Sequence, residues 1–261
     1  MKLNDLILKL KDGFCFDTET CGSNSGDAVT IHSLELVGIA FAIAPGEAFY
    51  LPIPTQYDKA VALISVLKEV FEDPLVCKTG HNLKFDINVL RRYGIRVQGP
   101  LFDTMIAHYL CNPQAKHGLK AISLALLGYK QIEISELIGF GKDQQSMRNI
   151  PVREVADYAC EDADQTLQLR QVLEPMLKKR KLEVLFHTIE CPLIYVLADM
   201  EYEGICVNPE LLNSISEQAY RELALEKQKL DTLSGIHNFN PNSTVQLREL
   251  LFEKLGLDSI T

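Results

Sequence analysis

No apolar run in this sequence approaches the roughly 18–20 residues needed to cross a bilayer, and charges or amides interrupt every apolar stretch between Met1 and Gly13. That pattern gives no signal peptide and no membrane among the expected partners. Seven cysteines, at positions 15, 21, 77, 111, 160, 191 and 206, include no C-x-x-C pair and no histidine at zinc spacing. Their scatter excludes a disulfide framework or zinc ribbon and reads as reduced thiols of a cytoplasmic protein. The six histidines show no H-x-x-x-H pairing, so none is assigned to a metal. Positive charge is also in deficit: 26 Lys and Arg against 35 Asp and Glu leave a net charge of −9. Proteins that grip duplex nucleic acid usually carry the opposite sign. There is no internal repeat and no low-complexity tract. What remains is an ordinary globular composition, 47% hydrophobic and 23% charged. Its 261 residues are enough for one full-sized domain with an appendage.

Residues 12–53 alternate as strands do, with Phe14, Phe16 and Thr18 on one face, then LELVGIAFAI, a Pro45-Gly46 turn and EAFYLPI. A β-meander is expected there. Val61, Ile64, Leu67 and Phe71 recur at helical spacing over 58–71, and a short strand is expected at LVCK, 75–78. Three further helices are marked by their endings: KFDINVLRRY before Gly94, DTMIAHYL before Asn112-Pro113, and LKAISLALL before Gly128. A long helical pattern runs from Val152 to about Lys181, with Pro175 expected to kink or break it. KKRK at 178–181 reads as a basic helix end. Helical spacing continues over 182–202 to Gly204, and again over 209–233 and 243–254. Strands followed by alternating helices and strands predict an α/β domain with a mixed sheet over 1–182, and an all-helical segment over 183–261.

Three acidic elements stand out. In Phe16-Asp17-Thr18-Glu19-Thr20, strand alternation turns Asp17 and Glu19 to the same side, roughly 6.6 Å apart along the chain. Two such carboxylates can grip a hard cation, although D-x-E alone is more often a solvated strand end. In Asn82-Leu83-Lys84-Phe85-Asp86 the acid sits in the first turn of a helix, where it also simply favours the helix dipole. In Tyr158-Ala159-Cys160-Glu161-Asp162-Ala163-Asp164, Tyr158 and Asp162 are neighbours at i and i+4, while Glu161 and Asp164 are expected to be solvated. Phosphodiester hydrolysis develops charge on both attacking and leaving oxygens, which two divalent ions about 3.5–4 Å apart can stabilise. Such ions want oxygen ligands, and converging carboxylates supply them.

FDTET, NLKFD and YACEDAD, in this order and with these gaps, resemble the three exonuclease motifs of the DEDD superfamily, tyrosine subtype, and most closely those of the DNA polymerase I family. LFDTM at 101–105, DADQTLQL at 162–169, IECPLIYVLADMEYEGICVN at 189–208 and FNPNSTVQLRELLFEKLG at 239–256 resemble the same family's connecting segments and the start of its thumb. The resemblance implies an RNase H-like fold and a proofreading activity that removes nucleotides from a single-stranded DNA 3′ end, next to a polymerase domain in the intact protein. It implies two Mg²⁺ or Mn²⁺ ions, with Asp17, Glu19 and Asp162 on the tighter one, Asp17 bridging to the second and Asp86 acting through water. Tyr158 and Glu19 would orient the attacking water. Thr18, Asn82, Lys84 and Phe85 would meet the terminal nucleotide.

Phe85 stands where many relatives have Tyr, and His81 where some have Gln. Only altered substrate contacts are expected from either. Position 157 is Asp157, not the imidazole that the histidine subtype would need. Asp103 is expected to support the ligand residues from behind or to be structural. A site of this kind holds a few nucleotides by stacking, so it needs no basic stripe. Lys84, Arg91, Arg92, Lys116, Lys120 and Lys142 are candidates to border the groove. Nothing resembles the palm or fingers segments of the polymerase, so no polymerisation is expected from these residues, and no 5′-nuclease segment is seen. The rival readings are a ribonuclease D-like RNA exonuclease and a catalytically silent DNA-holding scaffold.

Overall fold

The computed structural model describes residues 3–22, 30–141 and 144–258. By contacts the chain forms two units, Met1–Gly204 and Ile205–Thr261. The first is built on a five-stranded mixed sheet: β1 Phe14–Cys21, β2 Glu35–Ala44, β3 Glu47–Pro52, β4 Lys78–Gly80 and β5 Leu101–Asp103, in spatial order β3-β2-β1-β4-β5. β1, β2 and β3 form the expected antiparallel meander, and β4 and β5 add to β1 in parallel.

The helices of this unit are α1 Leu3–Leu10, α2 Tyr57–Ser65, α3 Lys68–Phe71, α4 Leu83–Arg92, α5 Thr104–Cys111, α6 Leu119–Leu127, α7 Ile134–Ile138 and α8 Val152–Lys179. They are followed by α9 Glu183–Leu185, a π-helical turn Phe186–Glu190 and α10 Cys191–Glu203. Gly94 and Gly128 take positive φ of 81° and 67° just past α4 and α6, the left-handed stop that the sequence signals. Residues 183–203, grouped by hydropathy with the later helices, belong by contact to the first unit: α10 packs on α4 and β5, with Cys191, Ile194 and Ala198 buried.

The two faces of the sheet are filled differently. Phe14, Phe16 and Phe41 stack around Phe71 of α3, with Phe71 edge-on to Phe14 and Phe16 at 5.2 and 4.9 Å. Aromatic pairs of this geometry add to plain area burial. On the opposite face Cys15, Ala40 and Ala42 meet Ala159 and Ala163 of α8 in a buried cluster of small side chains. Small residues on both sides let the helix axis come close to the strands, and that decides where Asp162 can reach.

Two local expectations are corrected. The strand expected at 75–78 lies at β4, Lys78–Gly80, because the preceding residues turn: Leu75 N–H bonds the Asp73 carboxylate at 2.8 Å, and Leu75 is exposed. Lys78 is fully buried there, and its ammonium donates to the carbonyls of Asp73 and Gln98, both at 2.6 Å. Pro175 does not interrupt α8, which runs through it for 28 residues. It sits on the exposed side, five residues from the end, where the lost hydrogen bond faces water.

The second unit consists of α11 Pro209–Ser234, α12 Thr244–Arg248 and a closing π-helical turn Glu249–Lys254. Asn208 caps α11, its side chain accepting Leu211 N–H at 3.0 Å, and Ser243 caps α12 in the same way from Gln246.

Candidate active site

The C-terminal ends of the parallel strands β1, β4 and β5 lie side by side, the position at which open α/β sheets carry their ligands. β1 delivers Asp17 and Glu19 to the α8 face, opposite Ala40 and Gly38 of β2. Gly38 leaves room there for the Tyr50 side chain: a Cβ would stand 2.0 Å from the Tyr50 hydroxyl and would displace it from beside Glu19. Across the alanine seam α8 brings up Asp162. One carboxylate oxygen from each of Asp17, Glu19 and Asp162 lies within 4.8 Å of the others.

Asp86 arrives from the other side. The first turn of α4 brings its carboxylate to the end of β1, where Asp86 Oδ1 accepts Thr18 N–H at 3.0 Å and the Thr18 hydroxyl at 2.5 Å. It stands outside the three-oxygen cluster and acts on it by charge. The start of α4 is held by Asp103, whose carboxylate accepts the N–H groups of Asn82 and Leu83 at 3.3 and 2.8 Å and of Met105 and Ile106 at 2.9 and 3.2 Å. One acid therefore caps both α4 and α5, in agreement with the structural role expected for it. Asn82 takes the left-handed conformation, φ 63°, rare for a residue other than glycine and recurrent at functional sites.

The acids suppress one another's ionisation. Burial, and then the charge of Asp86, push the Asp17 carboxyl up to about 8. Burial, and then Asp17, lift Asp162 to about 7, with Lys120 opposing. Asp86 rises to about 7 by burial, against the pull of its Thr18 hydrogen bonds. Glu19 is raised well above the carboxylate range by burial and by Asp17, Asp162 and Asp86, and its Oε1 is buried with no hydrogen-bond partner in the protein. Four crowded carboxyls that Lys120 offsets only in part and one unpaired buried oxygen are a donor set suited to a hard cation, which wants oxygen ligands. Burial and the charges of Asp162 and Glu19 hold the Tyr158 phenol firmly protonated.

The other candidate residues are placed as follows. Phe85 is half-buried against the main core. Lys84 is paired with Glu201 at 2.6 Å, and Arg91 with Asp199 and Glu203 at 2.6 and 3.2 Å, while the Arg92 guanidinium donates to the Leu34 carbonyl. His81 is held neutral, its pKa lowered to about 4 chiefly by burial, with Nδ1 2.9 Å from the Thr104 hydroxyl. Lys142 lies outside the described residues. Among the described residues, Lys120 is a basic group whose charge bears on Glu19 and Asp162, its ammonium 5.0 Å from the Tyr158 ring centroid and donating to the Ile132 carbonyl.

Sequence reasoning missed the 129–133 loop altogether. Gln131 is buried and donates from Nε2 to Asp162 Oδ1 at 2.6 Å. Glu161, expected to be solvated, accepts the Tyr129 hydroxyl and Ile132 N–H, both at 2.8 Å. Asp164, likewise expected in solvent, accepts Gly46 N–H at 2.7 Å and so ties the β2–β3 turn to α8. Beside Glu19 opens a cleft of about 460 Å³, lined by Thr18, Thr20, Ile134, Ile138 and Met147 among others.

A mixed sheet of this order, with acids gathered at its strand ends under a long crossing helix, defines an RNase H-like nuclease domain. Residues 1–178 match the family model described as 3′–5′ exonuclease of family A DNA polymerases. The chain is 36% identical to DNA polymerase I of Pseudomonas aeruginosa over 254 residues, and 36% identical to that of Chloroflexus aurantiacus over 264. These alignments take in 93% and 98% of this chain but 27% of each relative, so the chain spans about a quarter of their length. Among solved structures, the POL domain of Pol1 from M. smegmatis in complex with DNA primer-template and dNTP shares the fold, with a TM-score of 0.71 at 20% identity, covering 97% of this chain and 39% of that one. The chain belongs to the 3′–5′ exonuclease domain family of DNA polymerase I.

Proposed function

We propose that this domain hydrolyses the terminal phosphodiester at the 3′ end of single-stranded DNA, releasing one deoxynucleoside 5′-monophosphate at a time, as the proofreading part of a DNA polymerase I whose polymerase domain is its partner. The observation that carries this reading is the convergence of Asp17, Glu19 and Asp162 on one point, with a buried oxygen of Glu19 left unpaired. These three residues would hold one Mg²⁺ or Mn²⁺ ion, with Asp17 and Asp86 serving a second. When bound, such ions lower the pKa of the attacking water toward about 7 and stabilise charge on the attacking and leaving oxygens.

The chain's own groups do the rest. Tyr158, fixed in its protonated form and lying against Asp162, orients the attacking water together with Glu19, as in the tyrosine subtype. The cleft beside Glu19, with Thr18 in its lining, takes the terminal nucleotide, and Asn82 and Phe85 contact that nucleotide as the family resemblance implies. Lys84 reaches a phosphate once it exchanges Glu201 for it. A few contacts of this kind suffice for a short single strand, which reconciles the net charge of −9 with a nucleic-acid substrate.

Replacing Asp17 by Ala removes the shared ligand. Hydrolysis of a 5′-labelled single-stranded oligonucleotide in Mg²⁺ is expected to cease while the circular dichroism spectrum stays that of the parent. A variant that digests DNA at the parental rate would overturn the assignment. An RNA oligonucleotide of the same sequence, run in parallel, is expected to be the poorer substrate.

A further inference from the structure

The 129–133 loop has no regular secondary structure, yet it is fastened to α8 and α6 around Asp162. Glu161 of α8 accepts the Tyr129 hydroxyl and Ile132 N–H, and the Lys120 ammonium of α6 donates to the Ile132 carbonyl. At the centre of these attachments Gln131, 2% exposed, extends its amide to Asp162. Its Nε2 donates to Oδ1 at 2.6 Å, a short bond for an amide donor and a buried one. A donor on one oxygen of a carboxylate sets the rotation of the whole group and hence the direction of the other oxygen. The far end of the same amide, Oε1, is buried with no protein partner. A glutamine kept for packing or for stitching the loop would have both ends satisfied, since an unpaired buried polar atom is destabilising. Here the amide is turned by the carboxylate alone.

We propose that Gln131 is a positioning residue, holding the Asp162 carboxylate in the orientation in which it can serve as a cation ligand. This inference rests on the reading of Asp17, Glu19 and Asp162 as a metal centre. Partners of this kind commonly alter metal affinity by about 10–100-fold.

The test compares the full chain with two variants, Gln131→Met, which keeps the volume and removes the donor, and Tyr129→Phe, which loosens the same loop without touching Asp162. Mn²⁺ binding is measured by titration calorimetry, alongside kcat and KM on a single-stranded oligonucleotide. Gln131→Met is expected to weaken Mn²⁺ binding and lower kcat by about 10–100-fold, with KM for DNA unchanged. Tyr129→Phe is expected to bind Mn²⁺ as the parent does. Should Gln131→Met fail to fold, Gln131→Ala takes its place with the same expectation. Parental Mn²⁺ affinity in the Gln131 variant, or an equal loss in Tyr129→Phe, overturns the positioning role and leaves the metal centre standing. A parent chain that binds no Mn²⁺ overturns the metal centre itself, and the inference with it.

Discussion

At the scale of single residues, the dominant fact is a set of carboxyls held above their ordinary pKa. Asp17, at about 8, and Asp162 and Asp86, each at about 7, keep protons in the folded metal-free chain that the unfolded chain, with Asp near 3.8, has already released. The folded state therefore binds more protons than the unfolded one between about pH 4 and 8, so stability falls as pH rises through that window. In EDTA the melting temperature is expected to be lower at pH 8 than at pH 5.5, and Mn²⁺ should restore it at pH 8. A melting temperature flat across this range would contradict the electrostatic description. The acids themselves were legible in the sequence because they stand in short motifs, FDTET, NLKFD and YACEDAD, that resemble those of a known family. Gln131, Glu161 and Asp164 were not, because a surface-type residue acquires a buried or bonded role only through what the fold lays over it.

At the scale of elements, apolar periodicity and helix stops carried most of the information. α6 and α4 end at the glycines that the pattern picked out, whereas β4 starts only at Lys78 because the Asp73 carboxylate holds Leu75 N–H in a turn just before it. Apolar pattern cannot see a turn that one side chain holds. Asp103 shows how elements depend on one another, four N–H groups at the starts of α4 and α5 converging on its carboxylate. Each lost cap costs about 0.5–2 kcal/mol, so Asp103→Ala, which removes two, is expected to destabilise the fold by about 1–4 kcal/mol in urea titration. It should also weaken catalysis, since α4 carries Asp86. Destabilisation below about 1 kcal/mol would show that the two helix starts hold without it.

At the scale of the whole molecule, a net charge of −9 constrains how the proposed DNA substrate would be held. The cations of α4 that could reach DNA are already paired with Glu201, Asp199 and Glu203, so few phosphates can be neutralised at once. For about three phosphates on a single strand, log affinity should fall with log salt at a slope near −2. Fluorescence anisotropy of a labelled oligonucleotide over a salt series, with catalysis blocked by Asp17→Ala, measures it. A slope near −7 would require a long basic track that these residues do not provide.

The length of α8 has a mechanical side. Asp162 and Leu177 lie on one uninterrupted helix, about 22 Å apart at 1.5 Å per residue, with Leu177 seated in the same core as Phe186. If Asp162 is a ligand of the proposed site, a tilt of about 3° pivoting at Leu177 would swing it by about 1 Å, a displacement that can cost about a hundredfold in rate.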